Sequence, residues 1–388
     1  MSRHQIFTSK TLSKTLKNPN LRNLWTSPLS PKSFKNRKKP QTPRESPIQP
    51  EPIRRTPHFE SILRRDSLLR FITRTKAYLS LQPEHVLLLD EAGKLHRELG
   101  FPRGRKVIRS VHRHPSLLQT YRHGDGKVWI GFTDLMEDLL REEASIMDSM
   151  ETQRMIAVRK LLMMSAEKRM PLSKIHHCRH VFGIPDDFRD RVLKYPEHFR
   201  VSVDEDGRPV LELVEWDPSL AVSALERDFV TDEDGVKRAF RFPFEGAKSL
   251  GLDVDNERKL NLLNTLPLVS PYSEGSGLKP WSLEAEKYRV GVVHEFLSLT
   301  LEKRALIHHI MEFKEELSLT KHLYWDLVKQ ARTFYLAGTE MNWAVFLKSA
   351  YDDGGELIDE DPQVLFNQKL WRYALEDDPL SAIQRIQV

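Results

Sequence analysis

The sequence predicts a mainly α fold with short β-hairpins, built as tandem helix-turn-helix, winged-helix-like units in three degenerate copies. Three observations predict it. A pattern of apolar-Gly-apolar-Pro, a basic helical stretch, a second proline and a Gly turn occurs twice, and a degraded form occurs once more. Before each copy lies an apolar stretch with basic punctuation: "SLLRFITRTKAYLSL", "MIAVRKLLMMSAEKRMPL" and "VVHEFLSLTLEKRALI". Alternating apolar and polar residues flank an Asp-Gly turn in "FRVSVDEDGRPVLELV", the signal of a two-stranded hairpin.

Taken in order, residues 1–50 hold eleven Lys and Arg against one acid, Glu45, and lack the 7–15-residue apolar centre of a secretory signal. Their Lys, Arg, Ser, Thr and Pro content, punctuated by Ile6, Leu12, Leu16, Leu21 and Leu24, predicts a transit peptide with a basic Pro-rich tether. A disordered basic tail that binds nucleic acid is the alternative. The mitochondrion is the expected destination, with the chloroplast as alternative. A domain over 58–375 comes next, with copies at roughly 60–140, 152–226 and 285–350, a connecting segment at 227–284 and a tail at 376–388.

The first two copies share Leu99 to Pro102 and Phe182 to Pro185, then Pro115 and Pro196. Gly100 and Gly183 suit helix C-termini, where a left-handed residue costs least. Pro185 with Asp186 and Asp187 suits the start of the next helix. In the third copy, Leu317-Ser318-Leu319-Thr320 replaces the corner and Ala331 the second proline. Ile175, Cys178 and Phe182 fall at helical spacing, as do Leu95 and Leu99, and Ile310, Phe313 and Leu317.

Charge is divided along the chain. Residues 51–203 carry 28 bases against 20 acids, a net of +8, and residues 204–388 carry 21 against 34, a net of −13. A polyanion should therefore meet the front, while the acidic half braces the fold or meets basic partner proteins. No run of about 18 apolar residues exists, so no membrane contact is expected. The sequence lacks a phosphate-binding G-x-x-x-x-G-K-[ST], a G-x-S-x-G elbow and an H-E-x-x-H, so no enzyme is expected.

His176, His177, Cys178 and His180 crowd together around the lone cysteine. A metal reading rests on His176 and His180 sharing a helix face. Superposing the copies places Cys178 opposite Leu95 and Phe313, which predicts a core position. The core reading is adopted, with no catalytic residue and no metal site.

The blocks "RKLLMMSAEKRMPL", "FGIPDDFRDRVLKYPEHF", "LELVEWDPSLAVSALE", "LPLVSPYSE", "VGVVHEFLSLTLEKR" and "LIDEDPQVLFNQKL" resemble the plant organelle RNA recognition (PORR) domain family, in order over about 60–370. The resemblance implies import into a plant organelle and RNA binding that promotes splicing of group II introns. It implies no catalytic residues and no cofactor, and it supplies no individual RNA contacts.

Candidate RNA contacts are therefore physical inferences from where Lys and Arg cluster. The first copy offers Arg103, Arg105, Lys106, Arg109 and Arg113, with Arg70, Arg74 and Lys76 from the preceding helix. Arg105, Arg109 and Arg113 repeat at i, i+4 and i+8, which on one helix would place them on one face. The second copy adds Lys160, Arg169, Arg179, Arg189, Arg191 and Lys194, diluted by Asp186, Asp187 and Asp190. Tyr121 and Trp129 in the first hairpin are either base-stacking aromatics or core. The expected partners are organellar intron RNA and, through the acidic half, other splicing factors. The rival functions are a protein adaptor for such factors and a DNA-binding winged-helix regulator.

Overall fold

The computed structural model describes residues 56–377 except 102–105, 125, 228–265, 267–268, 274–276, 280, 331–332 and 340–341. The expectations for the transit segment, for most of the connecting segment and for the tail beyond Asp377 lie outside the described residues. By its contacts the chain divides into Met1–Pro52 and Ile53–Val388, and every described element belongs to the latter.

Proline at the first helical position opens α1 (Pro57–Leu79), where its missing N–H costs nothing. Next come β1 (Val86–Leu88), the single turn α2 (Leu89–Ala92), the short α3 (Val107–Val111) and the hairpin β2 (Leu118–Arg122) and β3 (Val128–Phe132). Thr133 caps α4 (Asp134–Ser149) by accepting from the Met136 N–H at 3.2 Å. The second unit runs α5 (Glu151–Met164), β4 (Arg169–Pro171), α6 (Leu172–Cys178), α7 (Phe188–Val192), β5 (Phe199–Val203) and β6 (Pro209–Leu213). After α8 (Ala224–Arg227), the third runs α9 (Leu283–Leu299), β7 (Arg304–Leu306), α10 (Ile307–Glu312), α11 (Leu323–Lys329), β8 (Phe334–Ala337) and β9 (Ala344–Leu347), and α12 (Pro362–Asp377) closes the described chain.

Each unit thus holds a three-stranded antiparallel sheet, not the two-stranded hairpin expected. The order is β1-β3-β2, β4-β6-β5 and β7-β9-β8, the same each time. The additional strand is three residues long and comes after a left-handed residue at the same place in every unit: His85 at φ 53°, Lys168 at φ 56° and Lys303 at φ 49°. Lys168 Nζ donates to the carbonyls of Met163 and Ser165, and Lys303 Nζ to those of Ser298 and Thr300. These ammonium groups satisfy the open C-terminal carbonyls of α5 and α9, where a cation also complements the helix dipole. The repeated strings "SAEKR" and "TLEKR" encode this stop.

The corner after the next helix is also left-handed three times, at Gly100 (φ 72°), Gly183 (φ 67°) and Ser318 (φ 52°). The third copy therefore keeps the backbone of the corner after losing its glycine. At Gly183 a second constraint acts, because a Cβ would stand 2.8 Å from Arg154 Nε and from Leu301 Cδ2.

The buried residues form two main cores. One joins the second and third units through Phe182, Phe296 and Phe313, whose rings meet at 5.2–6.5 Å. The other fills the first unit, where Phe366, Leu370 and Ala374 of α12 pack with Leu69, Leu99, Val111 and Ile130. A small third cluster sets Phe59 and Ile62 of α1 against Tyr335 and Phe346. α1 thereby spans from the third sheet to the first core, and the two ends of the described chain brace one another.

Candidate nucleic-acid interface

The expected helix bearing Arg105, Arg109 and Arg113 does not form. α3 is five residues long and carries Arg109 alone of the three; Lys106 is its N-cap, Arg113 lies past its C-cap, and Arg103 and Arg105 lie outside the described residues. Pro102 and Gly104 leave too little helix-forming sequence upstream to extend it.

In the first unit the exposed cations gather at the corner. Arg70 and Arg74, one turn apart on α1, lay their stems across Gly100: a Cβ there would meet Arg74 Cδ at 2.8 Å and Arg70 Cγ at 3.1 Å. Arg74 donates to the Arg97 carbonyl at 2.7 Å, which brings exposed Arg97 to the same corner. Arg70, Lys106 and Arg109 are exposed and have no carboxylate within ion-pair distance among the described residues, and half-buried Arg113 is likewise unpaired there. Sequence reasoning passed over Arg97, and also exposed Arg64, Lys94 and Arg122. Arg97, Lys94 and Arg122 stand apart from the longer basic runs, and Arg64 was overlooked although Arg65 follows it. Lys76 is corrected: it is largely buried against Glu143 at 2.5 Å, with its ammonium 5.6 Å from the Phe366 ring.

The second unit keeps fewer available charges. Lys160 is buried and ion-paired to Glu295 at 2.8 Å, while donating to the Val222 carbonyl at 3.1 Å. It is a structural cation, not a surface contact. Arg191 is held by Asp148, Glu151 and Asp187, which outweigh its burial and keep it charged. Arg179 pairs with Asp186, and Arg169 with Glu167 at 2.6 Å. Arg189 and Lys194 are exposed without an ion-pair partner among the described residues. Free positive charge is thus concentrated in the first unit.

The acidic rear supplies many of the partners. Asp361 grips Arg154 through two bonds of 2.7 and 2.8 Å, and Glu316 holds Lys174 at 2.7 Å. This is the bracing role expected of that half.

Cys178 is fully buried in the core shared by the second and third units. Burial, then the charge of Glu312, pushes its thiol up to about 12, the reverse of what a nucleophile or metal ligand needs. His177 and His180 meet His309 at 6.2 and 5.0 Å, and His308 meets it at 4.3 Å. Burial first, then these neighbouring imidazoles, lowers His309 to about 3. Among the described residues no three His, Cys, Asp or Glu are arranged to hold a metal ion, and no helix is long and apolar enough to cross a membrane.

Tyr121 and Trp129, left open between stacking and core, are not core. They pair across β2 and β3 on the sheet face turned away from the first core, where Tyr121 is exposed and Trp129 half-buried.

Known proteins resemble the chain across these three units. The family model described as plant organelle RNA recognition domain matches residues 54–378. The chain is 35% identical over 326 residues to the maize protein WHAT'S THIS FACTOR 1, chloroplastic, covering 80% of this chain and 64% of the relative. It is 33% identical over 349 residues to the Arabidopsis thaliana homolog, also chloroplastic, covering 85% and 65%. A more distant Arabidopsis relative, WHAT'S THIS FACTOR 9, mitochondrial, is 25% identical over 310 residues, covering 77% of this chain and 79% of the relative. The chain spans just under two thirds of the length of the two chloroplastic relatives. No solved structure matches it.

Proposed function

This chain belongs to the plant organelle RNA recognition family, and on that premise we propose that it binds organellar intron RNA and promotes group II intron splicing by holding the intron in its splicing-competent fold. The observation that carries the reading is the first unit's corner, where Arg70, Arg74 and Arg97 converge and Lys106 and Arg109 stand exposed without carboxylates among the described residues. Phosphate contacts of this kind dominate RNA affinity. The intron supplies the bond chemistry; the protein has a binding role, in keeping with a family of RNA recognition, not of catalysis.

Each unit's order of helix, strand, two helices and hairpin supports reading it as winged-helix-like. An organellar address is supported by the relatives' names, and the greater similarity to the chloroplastic ones favours the plastid, the alternative destination, over the mitochondrion expected first. The acidic half, occupied with internal ion pairs, is a weaker candidate for recruiting other splicing factors.

Two experiments test this. Organelle RNA from a loss-of-function plant should accumulate specific unspliced introns. The purified chain should bind such an intron in a salt-dependent way and more tightly than duplex DNA of the same sequence. Fully spliced introns would refute the splicing role; preference for duplex DNA would favour the regulator.

A further inference from the structure

Because the three sheets share one strand order, their outer faces can be compared position by position. In the third unit that face carries Tyr335, Phe346, Ala337 and Ala344, and α1 covers it: Phe59 stacks on Tyr335 at 4.7 Å and packs on Phe346 at 4.9 Å. In the second unit Arg169, Glu212 and Arg200 stand in register across the strands, and Glu212 accepts from Arg200 at 2.7 Å and from Ser202 at 2.5 Å. One face is covered and one is satisfied by its own charges.

The first unit differs. Leu88, Trp129 and Tyr121 stand in register across its three strands, with Val86, Gly131 and Gln119 in the next row. Neither aromatic belongs to any of the three hydrophobic clusters or packs against one, and Tyr121 is 38% exposed. Gly131 shapes the surface. A Cβ there would stand 3.4 Å from Tyr121 Cε1 and 3.3 Å from Val86 Cγ1, so the phenol ring reaches diagonally across bare backbone. Trp129 is half-buried, and its Nε1 is buried with no acceptor among the described residues.

Charge selects the occupant. Exposed His123 and Lys127 lie in the turn beside this row, Arg122 ends its strand on the opposite side of the sheet by alternation, and Glu84 is an acid that faces Tyr121. An aromatic row beside cations matches a nucleotide, whose base offers a π-face and whose phosphate offers a negative charge. We propose that the outer face of the first sheet, centred on Tyr121 and Trp129, stacks unpaired bases of the RNA. This rests on the RNA-binding reading above and adds a site that reads bases as well as phosphates.

The test uses the full chain and three probes: a single-stranded RNA oligonucleotide, the same strand with abasic sugars, and its duplex. The wild-type protein should favour the base-bearing single strand over both. Tyr121→Ala should weaken that binding roughly five- to hundred-fold, in line with the loss of one base–aromatic stack, and leave its salt dependence unchanged. Tyr121→Phe and Trp129→Phe should retain it. Trp129→Ala is checked for folding by circular dichroism, and exposed Tyr121 carries the test if that variant does not fold. Equal affinity of wild type for intact and abasic strands overturns the proposal. So does an undiminished affinity of Tyr121→Ala, including the case where that variant instead loses a bound protein. Failure of the RNA-binding reading itself looks different: the wild-type chain then binds none of the three probes.

Discussion

Replacing Lys160 by Met separates structural from RNA-facing charge. The ammonium of Lys160, whose side chain is 9% exposed, lies 2.8 Å from Glu295, whose side chain is 0% exposed, and 5.3 Å from the Tyr272 ring. Burial drives the Glu295 carboxyl up, but Lys160, the Tyr272 hydroxyl and the Ala224 N–H together hold it below the ordinary carboxylate range. Lys160→Met leaves a buried carboxylate with three donors, Ser298 Oγ at 3.2 Å being the third, and no cation. Breaking a buried pair from one side costs about 3–5 kcal/mol, whereas neutralising both partners costs far less. At about 2 °C per kcal/mol for a large domain, Tm should fall by roughly 6–10 °C. Lys160→Met/Glu295→Gln should recover most of that loss. Thermal unfolding followed by circular dichroism reads both values, and RNA titrations well below Tm should show an unchanged salt dependence. An unaltered Tm with weakened RNA binding would make Lys160 a surface contact and refute the assignment.

Three further outcomes are expected from the same geometry. Ser318→Gly should raise stability by about 0.5–1 kcal/mol, because its left-handed φ of 52° penalises a side chain by more than glycine's added chain entropy; a lower Tm would contradict the shared corner. Stability should fall on mild acidification: His309, lowered to about 3, and His294, lowered to about 4 by burial, refuse protons that the unfolded chain accepts below about pH 6.5. Their contribution is complete above that pH and is lost toward pH 3–4, at about 2 kcal/mol per histidine by pH 5, so a Tm flat between pH 7 and 5 would oppose the reading. Arg154→Met should unfold the protein more readily by about 3 kcal/mol or more, since Asp361 would lose its cation, and Asp361→Asn should restore part of it in the double variant; additive losses in a double-mutant cycle would show that the two do not interact.

The repeat was legible because its punctuation is chemical: Gly100 and Gly183 announce left-handed corners, and the Asp-Gly pair before Arg208 announces a hairpin. Ser318 hid the third corner, since only tertiary packing keeps a serine in that conformation. The first strand of each sheet was missed because "VLL", "RMP" and "RAL" are too short for alternation to show, although "SAEKR" and "TLEKR" mark the stop before two of them. Which cations are free was illegible in principle. Lys76, Arg154 and Lys160 find their carboxylates at Glu143, Asp361 and Glu295, far along the chain, and no local pattern records that pairing. The assumed row of Arg105, Arg109 and Arg113 failed because a helix was extended past residues that stop it. Tyr121 and Trp129 needed strand register to tell inner face from outer.

The central claim is that the unpaired cations of the first unit hold RNA phosphates. Its most direct measurement is the slope of log affinity against log salt for single-stranded intron RNA, in the wild-type chain and in Arg70→Gln/Lys106→Gln/Arg109→Gln. Each lost phosphate contact should flatten the slope by about 0.7, so the triple variant should be shallower by about 2, with Tm unchanged. A slope equal to wild type would show that these side chains do not meet the RNA backbone.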